Sequence, residues 1–358
     1  MFHESPKLDV PGALTRRAFL RDTAGAIALA GSGAVLVSCG GGAGGGGAER
    51  SGRPKVTFLA ILPLTTLTFA PELLADAAGY FADQGIDVEF QSTHGSAQAI
   101  QLVLAGGAPL TRIGQIEAVG HAANRGAPIM NVGTVIKDST IRFISHASAP
   151  LREPKDFVGK TVGIPSEGGE TETTLDLLLR SSRIDPKEVE RQVVGVGPGV
   201  FNLVEQGRIA GFAVSIDTAK ILEKQQQGVV VLRPGEFIRS GAQIYMVSSS
   251  GLAEHREVLR KYLAGVYAAL EFMIGDDGFD RTIAAMRKKY SFATLEDAAV
   301  AKDSLAEFVK VWTSEGKENV LRTLPDRWQS GYEELVQAGQ AEPGKDPSQW
   351  FTNELLPA

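Results

Sequence analysis

From residue 55 to residue 250 the chain alternates short β-rich runs with helical patterns, and this alternation constrains the fold more than any other feature. "KVTFLAIL" (55–62) reads as a buried strand ended by Pro63. "APELLADAAGYFADQG" follows as a helix, with Leu73, Leu74, Ala77, Ala78 and Phe81 at helical spacing and Gly85 as its stop. "IDVEFQST" is the next strand. "SAQAIQLVLAGG" is the next helix, with Ser96 as its N-cap. "LTRIGQ" and "PIMNVGTVI" read as further strands. This βαβα order predicts an α/β fold with a mainly parallel sheet and right-handed crossovers.

A second unit of the same kind follows. "TVGIPS", "ERQVVGVG", "GFAVS", "VVVLRP" and "AQIYMVSSS" read as strands, and "EGGETETTLDLLLRSSRI" and "PGVFNLVEQGRI" as helices. Beyond Gly251 the pattern is almost wholly helical. Two αβ units and a helical tail predict two lobes, with the tail returning to the first. The expected crossovers lie near residues 141–147 and 243–249. Lobe one then takes residues 55–142 and 244–358, and lobe two takes residues 143–243.

The 358 residues are enough for two lobes with sizeable cores, and the formal charge of −6 without a basic run argues against nucleic-acid binding. The five histidines are scattered and no metal-ligand spacing occurs, so neither a metal nor a cofactor is expected. A Gly-x-Ser-x-Gly nucleophile elbow is absent. "GVGPGV" lacks the Lys-Ser/Thr of a phosphate loop and reads as a turn before a helix.

The start of the chain has a different character. Arg16 and Arg17 precede an uncharged run from Ala24 to Val37, too short for a comfortable membrane span. "TRRAFLR" resembles a twin-arginine export signal. "LVSC" resembles a bacterial lipobox, which implies cleavage before Cys39, the only cysteine, and acylation there. Residues 1–38 are thus expected to be a signal peptide. Residues 39–54 follow as the lipidated Cys and a slack Gly-rich leash. The expected location is periplasmic or cell-surface, anchored to the membrane by lipid.

"AAGYFADQGIDVEF", "GSAQAIQLVLAGGAP" and "DFVGKTVGIPSEGGETETTLDLLL" resemble, in order and spacing, the solute-binding proteins of ABC importers. The branch is the one serving nitrate, sulfonates, taurine and thiamine-precursor pyrimidines. The resemblance implies a two-lobed, periplasmic-binding-protein-like (type II) fold and no enzyme activity. It also implies a small-molecule ligand, ABC permease and ATPase partners, and a monomer. The chain departs from the family at Pro109, where an Asp is usual, and at Ala210-Gly211, where Asp-Ala often follows a Gly. The same fold also carries enzymes such as menaquinone-pathway lyases, and a sensor ectodomain is a third reading.

In open α/β sheets ligands bind beyond the carboxyl ends of strands, at helix N-termini. The turn after the first strand offers Thr65, Thr66 and Phe69. His94 and Ser96 follow the second strand, and Gln115 and Glu117 follow the third. Ser166, Glu170 and Thr171 follow the first strand of the second unit, with Ser215 and Asp217 facing them. Thr65 and Ser96 double as caps, and Phe69 as packing. Arg112 is odd inside an apolar strand. Burying it unpaired would be very costly, so it pairs with a carboxylate such as Glu117 or reaches an anionic ligand. The acidic turns favour a neutral or amine-bearing solute, such as an aminopyrimidine, over a nitrate, sulfonate or taurine anion.

Overall fold

The computed structural model describes residues 52–357. In chain order its strands are β1 (Lys55–Ala60), β2 (Asp87–Ser92), β3 (Leu110–Gly114), β4 (Ile129–Ile136) and β5 (Arg142–His146). They continue as β6 (Thr161–Ile164), β7 (Glu190–Val193), β8 (Gly211–Val214), β9 (Val229–Leu232) and β10 (Gln243–Ser248). One sheet has the order β2-β1-β3-β10-β4 and the other β7-β6-β8-β5-β9. In the first, β10 runs antiparallel to both neighbours; in the second, β5 does. Both sheets therefore follow one plan, with a single reversed strand next to the outer one.

The reversed strands correct the sequence reading of the crossovers. Residues 142–146 and 243–248 are strands, and the connections lie just before them, at 137–141 and 233–242. Each reversed strand is the one by which the chain enters a sheet from the other. Residues 142–146, expected only as a connection, form a strand that the pattern reading lacked, while the apolar run at 243–248 signalled a strand without information on its direction.

The helices of the first half are α1 (Ala70–Ala77), α2 (Tyr80–Asp83), α3 (Ser96–Leu104), α4 (Gln115–Arg125), α5 (Glu170–Ser181), α6 (Phe201–Glu205) and α7 (Ile216–Gln225). The helix expected over residues 70–85 is broken in two by Gly79, which sits at φ 86°. Left-handed backbone of that kind suits glycine and interrupts the helical ladder. Ser96 is the first residue of α3 rather than its cap; Gly95 caps it, without a side-chain bond.

The tail supplies α8 (Ser249–Glu254), α9 (Arg256–Ile274), α10 (Asp280–Arg287), α11 (Ala293–Glu296), α12 (Ala298–Trp312) and α13 (Pro325–Gln337). It returns to the first sheet. Leu321 accepts a backbone hydrogen bond from Thr134 at 2.7 Å, and Thr352 donates to Asn131 at 2.9 Å. Packing of apolar faces rather than helix propensity holds this tail. Tyr262 of α9 stacks between Phe58 and Phe81, with ring centroids 5.8 and 5.1 Å away. The core of the second sheet is separate, built on Phe143 and Phe157 with their rings edge to face at 5.5 Å.

No helix among the described residues is long and apolar enough to cross a membrane. The reading of residues 1–38 as a signal, and of Cys39 as an acylation site, falls outside the described residues, as does most of the 39–54 leash.

Candidate functional site

A cavity of about 350 Å³ opens where the carboxyl ends of strands from both sheets meet. That is within the range of small-molecule pockets. The first sheet contributes the turn after β1, the start of α3 and the floor residue Arg112. The second contributes the turns after β6, β7 and β8. The opposed walls arise because the parallel strands of each sheet end at the cleft, as strand–helix alternation requires.

The turn after β1 carries Thr65 and Thr66 on the cavity wall. The Thr66 side chain accepts from the Thr68 backbone N–H at 3.2 Å, starting a short 3₁₀ turn (Leu67–Phe69). Phe69, 1% exposed, lies at the floor under the cavity and also packs edge to face on Phe58. Ser96 lines the wall from the start of α3. His94 does not; it is exposed, and its backbone N–H donates to Gln98 at 2.7 Å. Gln115 lies in a different place. It lines a second cavity of about 20 Å³, room for a water, beside Lys137, Glu315 and Arg327.

From the second sheet, Ser166, Glu170 and Thr171 line the cavity where α5 begins, and Ser215 and Asp217 where α7 begins. Asp217, 2% exposed, accepts from the Leu67 backbone N–H at 3.3 Å. It therefore ties the second sheet to the first turn of the first. Its other carboxylate oxygen takes the hydroxyl of Ser215. Glu172 points elsewhere, onto the Gly168 N–H at 2.6 Å, and serves its own loop.

Arg112 does not pair with Glu117. Its Nη1 lies 3.1 Å from Glu72 in α1 and donates to the Thr68 carbonyl at 2.8 Å. Nε and Nη2 both donate to Oε1 of Gln243, at 3.1 and 2.9 Å. The guanidinium also lies 5.2 Å from the Phe69 ring centroid, within cation–π range. Tyr245 adds a hydrogen bond from its hydroxyl to Glu72 at 2.7 Å. Sequence reasoning missed Glu72, Thr68 and Gln243. A Glu in the first turn of a helix reads as a dipole partner, and nothing in spacing ties it to a strand 40 residues away.

Glu117 is absent from the cavity wall, yet its carboxyl stands next to that of Glu170. A Cβ built on Gly114 would lie 2.4 Å from Glu117 Oε2 and 2.9 Å from Glu170 Cδ. Burial pushes Glu117 up to about 7; the Ser96 side chain and the backbone oppose the rise. Burial, then the charge of Glu117, pushes Glu170 up to about 8, against the pull of Arg112 and Gln243. Neither carboxyl oxygen of Glu117 has a partner in hydrogen-bond geometry. Ser96 is near enough to lower it but not aligned to bond it.

Arg112 is the one cation among the cavity-lining residues, and its fork is already spent on Glu72, Gln243 and Thr68. Apolar side chains, Ile61, Leu62, Pro63, Val196, Pro198 and Ile221, share the rest of the wall with hydroxyls and the carboxyls of Glu170 and Asp217. No group of acidic, His or Cys side chains suited to a metal occurs among the described residues. A site of this kind can hold a flat, mostly apolar solute by its faces and fix its edge through hydroxyls, backbone N–H groups and carboxyls.

Two αβ sheets of identical strand plan around a cleft site define the periplasmic-binding-protein class of fold. The nitrate-binding protein NrtA of Synechocystis PCC 6803 shares it, with a TM-score of 0.63 at 14% identity over 85% of this chain and 87% of that one. The family model described as NMT1/THI5 like matches residues 66–277, and the chain belongs to that family. The riboflavin-binding protein RibY of Chloroflexus aurantiacus is 26% identical over 84% of this chain and 85% of its own length. A 4-amino-5-hydroxymethyl-2-methylpyrimidine phosphate synthase of Saccharomyces cerevisiae, THI13, is 22% identical over 62% of this chain and 68% of its own length.

Proposed function

We propose that this chain is the solute-capturing component of an ABC importer, taking an uncharged or amine-bearing heteroaromatic molecule between its two sheets. One observation carries the reading: the cavity has room for a small molecule, its wall combines apolar side chains with hydroxyls and carboxyls, and its single cation is already committed to protein partners. A nitrate or sulfonate would enter with no free counter-charge, and removing an unpaired charge from water is costly. An aminopyrimidine or a flavin ring meets no such cost. The names of the relatives RibY and THI13 point to the same chemistry.

In this reading residues 55–142 with 244–358 form one lobe and residues 143–243 the other. The thirteen residues singled out in the sequence divide by task. Thr65, Thr66, Phe69, Ser96, Ser166, Glu170, Thr171 and Ser215 face the solute, while Arg112 and Asp217 set the floor and the closure. The remaining three, His94, Gln115 and Glu117, stand outside the wall. The export signal and Cys39 acylation hold the protein on an extracytoplasmic membrane face, where it meets permease and ATPase subunits as a monomer. Closure over the solute draws its energy from contacts made to both lobes at once.

The test is a thermal-shift series on the purified protein with riboflavin, 4-amino-5-hydroxymethyl-2-methylpyrimidine, taurine and nitrate. A true solute at a hundred times its Kd adds about 2.7 kcal/mol of stability, a clear upward shift of Tm. Shifts with riboflavin or the pyrimidine, and solute recovered chemically unchanged, are expected. Shifts with taurine or nitrate alone would overturn the ligand class, and turnover would make the chain an enzyme. Mass spectrometry of the membrane fraction tests acylation of Cys39.

A further inference from the structure

Glu117 rides on α4, which follows β3 of the first sheet directly, and Glu170 opens α5, which follows β6 of the second. Their carboxyls crowd the same spot beside Gly114. The charged and polar groups around them offset this only in part. From β3, Arg112 is fixed on Glu72 of α1, on Thr68 and on Gln243 of β10, and its charge and the Gln243 side chain pull Glu170 down without outweighing burial and Glu117. From α7, Asp217 faces Leu67, and from α5, Glu172 faces Gly168. Ser96 of α3 is neutral, and His121, a turn further along α4, has its charged form disfavoured by burial and by Arg125. Two adjacent buried carboxylates, with the nearby Arg112 already committed to Glu72, cannot both ionise cheaply, and a proton resolves the conflict.

We propose that Glu117 is a positioning residue for the solute site: where its carboxyl crowds that of Glu170, the two together keep a proton bound, and that proton keeps Glu170 at the cavity wall. The proton comes from solvent and returns to it. The inference rests on the reading of the cleft as a site for uncharged rings. Glu117 touches no solute; it acts through Glu170. When the proton leaves, the carboxylates repel and the second sheet is pushed from the first. Uncharged solute therefore binds the protonated form, and its affinity falls as pH rises through the titration of the pair. A cationic solute behaves oppositely, because it replaces the proton.

Two measurements on the full chain test this. The first needs no solute. Carbon-detected NMR of the Glu side-chain carboxyls, followed against pH, should show both carbons of the pair responding to a proton that leaves well above the ordinary Glu value of about 4.3. In Glu117→Gln only the Glu170 carbon should remain, its titration shifted downward. Gly114→Ala is the second variant: Gly114 has φ −69° and ψ 148°, which alanine adopts freely. The atoms its added methyl meets first are the carboxyl ends of two flexible side chains, so the fold is expected to survive while the pair is split. The second measurement is calorimetry with riboflavin and 4-amino-5-hydroxymethyl-2-methylpyrimidine in buffers of different ionisation enthalpy. Affinity should fall about tenfold per pH unit once the pair has titrated, with uptake of about one proton, and both effects should shrink in Glu117→Gln. Carboxyls that all titrate in the ordinary range, or a pH profile that Glu117→Gln leaves unchanged, would overturn the proposal. High-titrating carboxyls with no binding of either probe would uphold the bound proton and overturn the solute class instead.

Discussion

Glu72 and Arg112 meet at 3.1 Å beneath the cavity, with no more than 1% of either side chain exposed. Neither could be buried alone. The pair, with Gln243 and the Tyr245 hydroxyl, makes the cavity floor a fixed, internally neutral object rather than a receptor for anions.

Removing one member should therefore be severe. Glu72→Gln leaves a buried guanidinium without its counter-charge and is expected to cost about 3–5 kcal/mol, read as a lower urea midpoint with an unchanged m-value. Replacing both residues together with apolar ones should cost much less than the sum of the single changes. Additive losses would show that the two do not act as a unit.

Asp217 bonds the Leu67 N–H across the cleft. Asp217→Ala leaves that N–H without its acceptor, a loss of about 1–3 kcal/mol felt mainly in the closed form. Solute affinity should fall about tenfold or more. Solution scattering should report a more open particle in the presence of solute. An unchanged affinity would remove Asp217 from any role in closure.

Stability should rise as pH falls from about 8 toward 5. The Glu117 and Glu170 carboxyls are raised to about 7 and about 8, above their value of 4.5 in the unfolded chain. The folded state thus binds more protons across that window; the stability is fully present below 4.5 and lost as pH climbs through 7 to 8. Lys137, lowered by burial to about 8 from 10.5, acts in a different window. Its deprotonated form favours folding at alkaline pH, and that contribution is lost as pH falls through about 8. Denaturation curves at several pH values should resolve both limbs, and Glu117→Gln should flatten only the lower one.

A methyl group on Gly211, in the middle of the second sheet, would lie 2.5 Å from the Ile144 carbonyl and 2.8 Å from Leu151 Cδ1. The first contact is with backbone, which cannot swing away. Gly211→Ala should cost about 1–3 kcal/mol and lower Tm by several degrees. An alanine variant as stable as the parent would show that β5 and β8 are looser than their pairing suggests.

The sheets were legible in the chain because Val, Ile and Phe runs alternate with helical spacing, and the structure keeps every strand expected over residues 55–136 and 161–248. Strand β5 was not legible at all, because residues 142–146 read only as a crossover, and β10 read as a plain apolar run whose reversal only pairing reveals. The break at Gly79 was hidden because one glycine inside a helical pattern is usually tolerated. In the site, the turns after strands announced themselves by their hydroxyls and carboxylates. Arg112 announced a need for a counter-charge but not its source, since Glu72 comes from a helix whose own spacing explains it fully. The adjacency of Glu117 and Glu170 depends on two sheets meeting, which local sequence does not encode.

The position of β10 between β3 and β4 has a consequence for biosynthesis. Strands β5 to β9 leave the ribosome as one uninterrupted stretch, so the second sheet has all its members before the first does. The first must wait, with β3 and β4 lacking their shared neighbour, until residue 248 emerges. A nascent chain that has emerged only as far as Gln243 would carry one finished half and one in which β3 and β4 still present bare edges to each other, and it is in that interval that a chaperone would find most to hold.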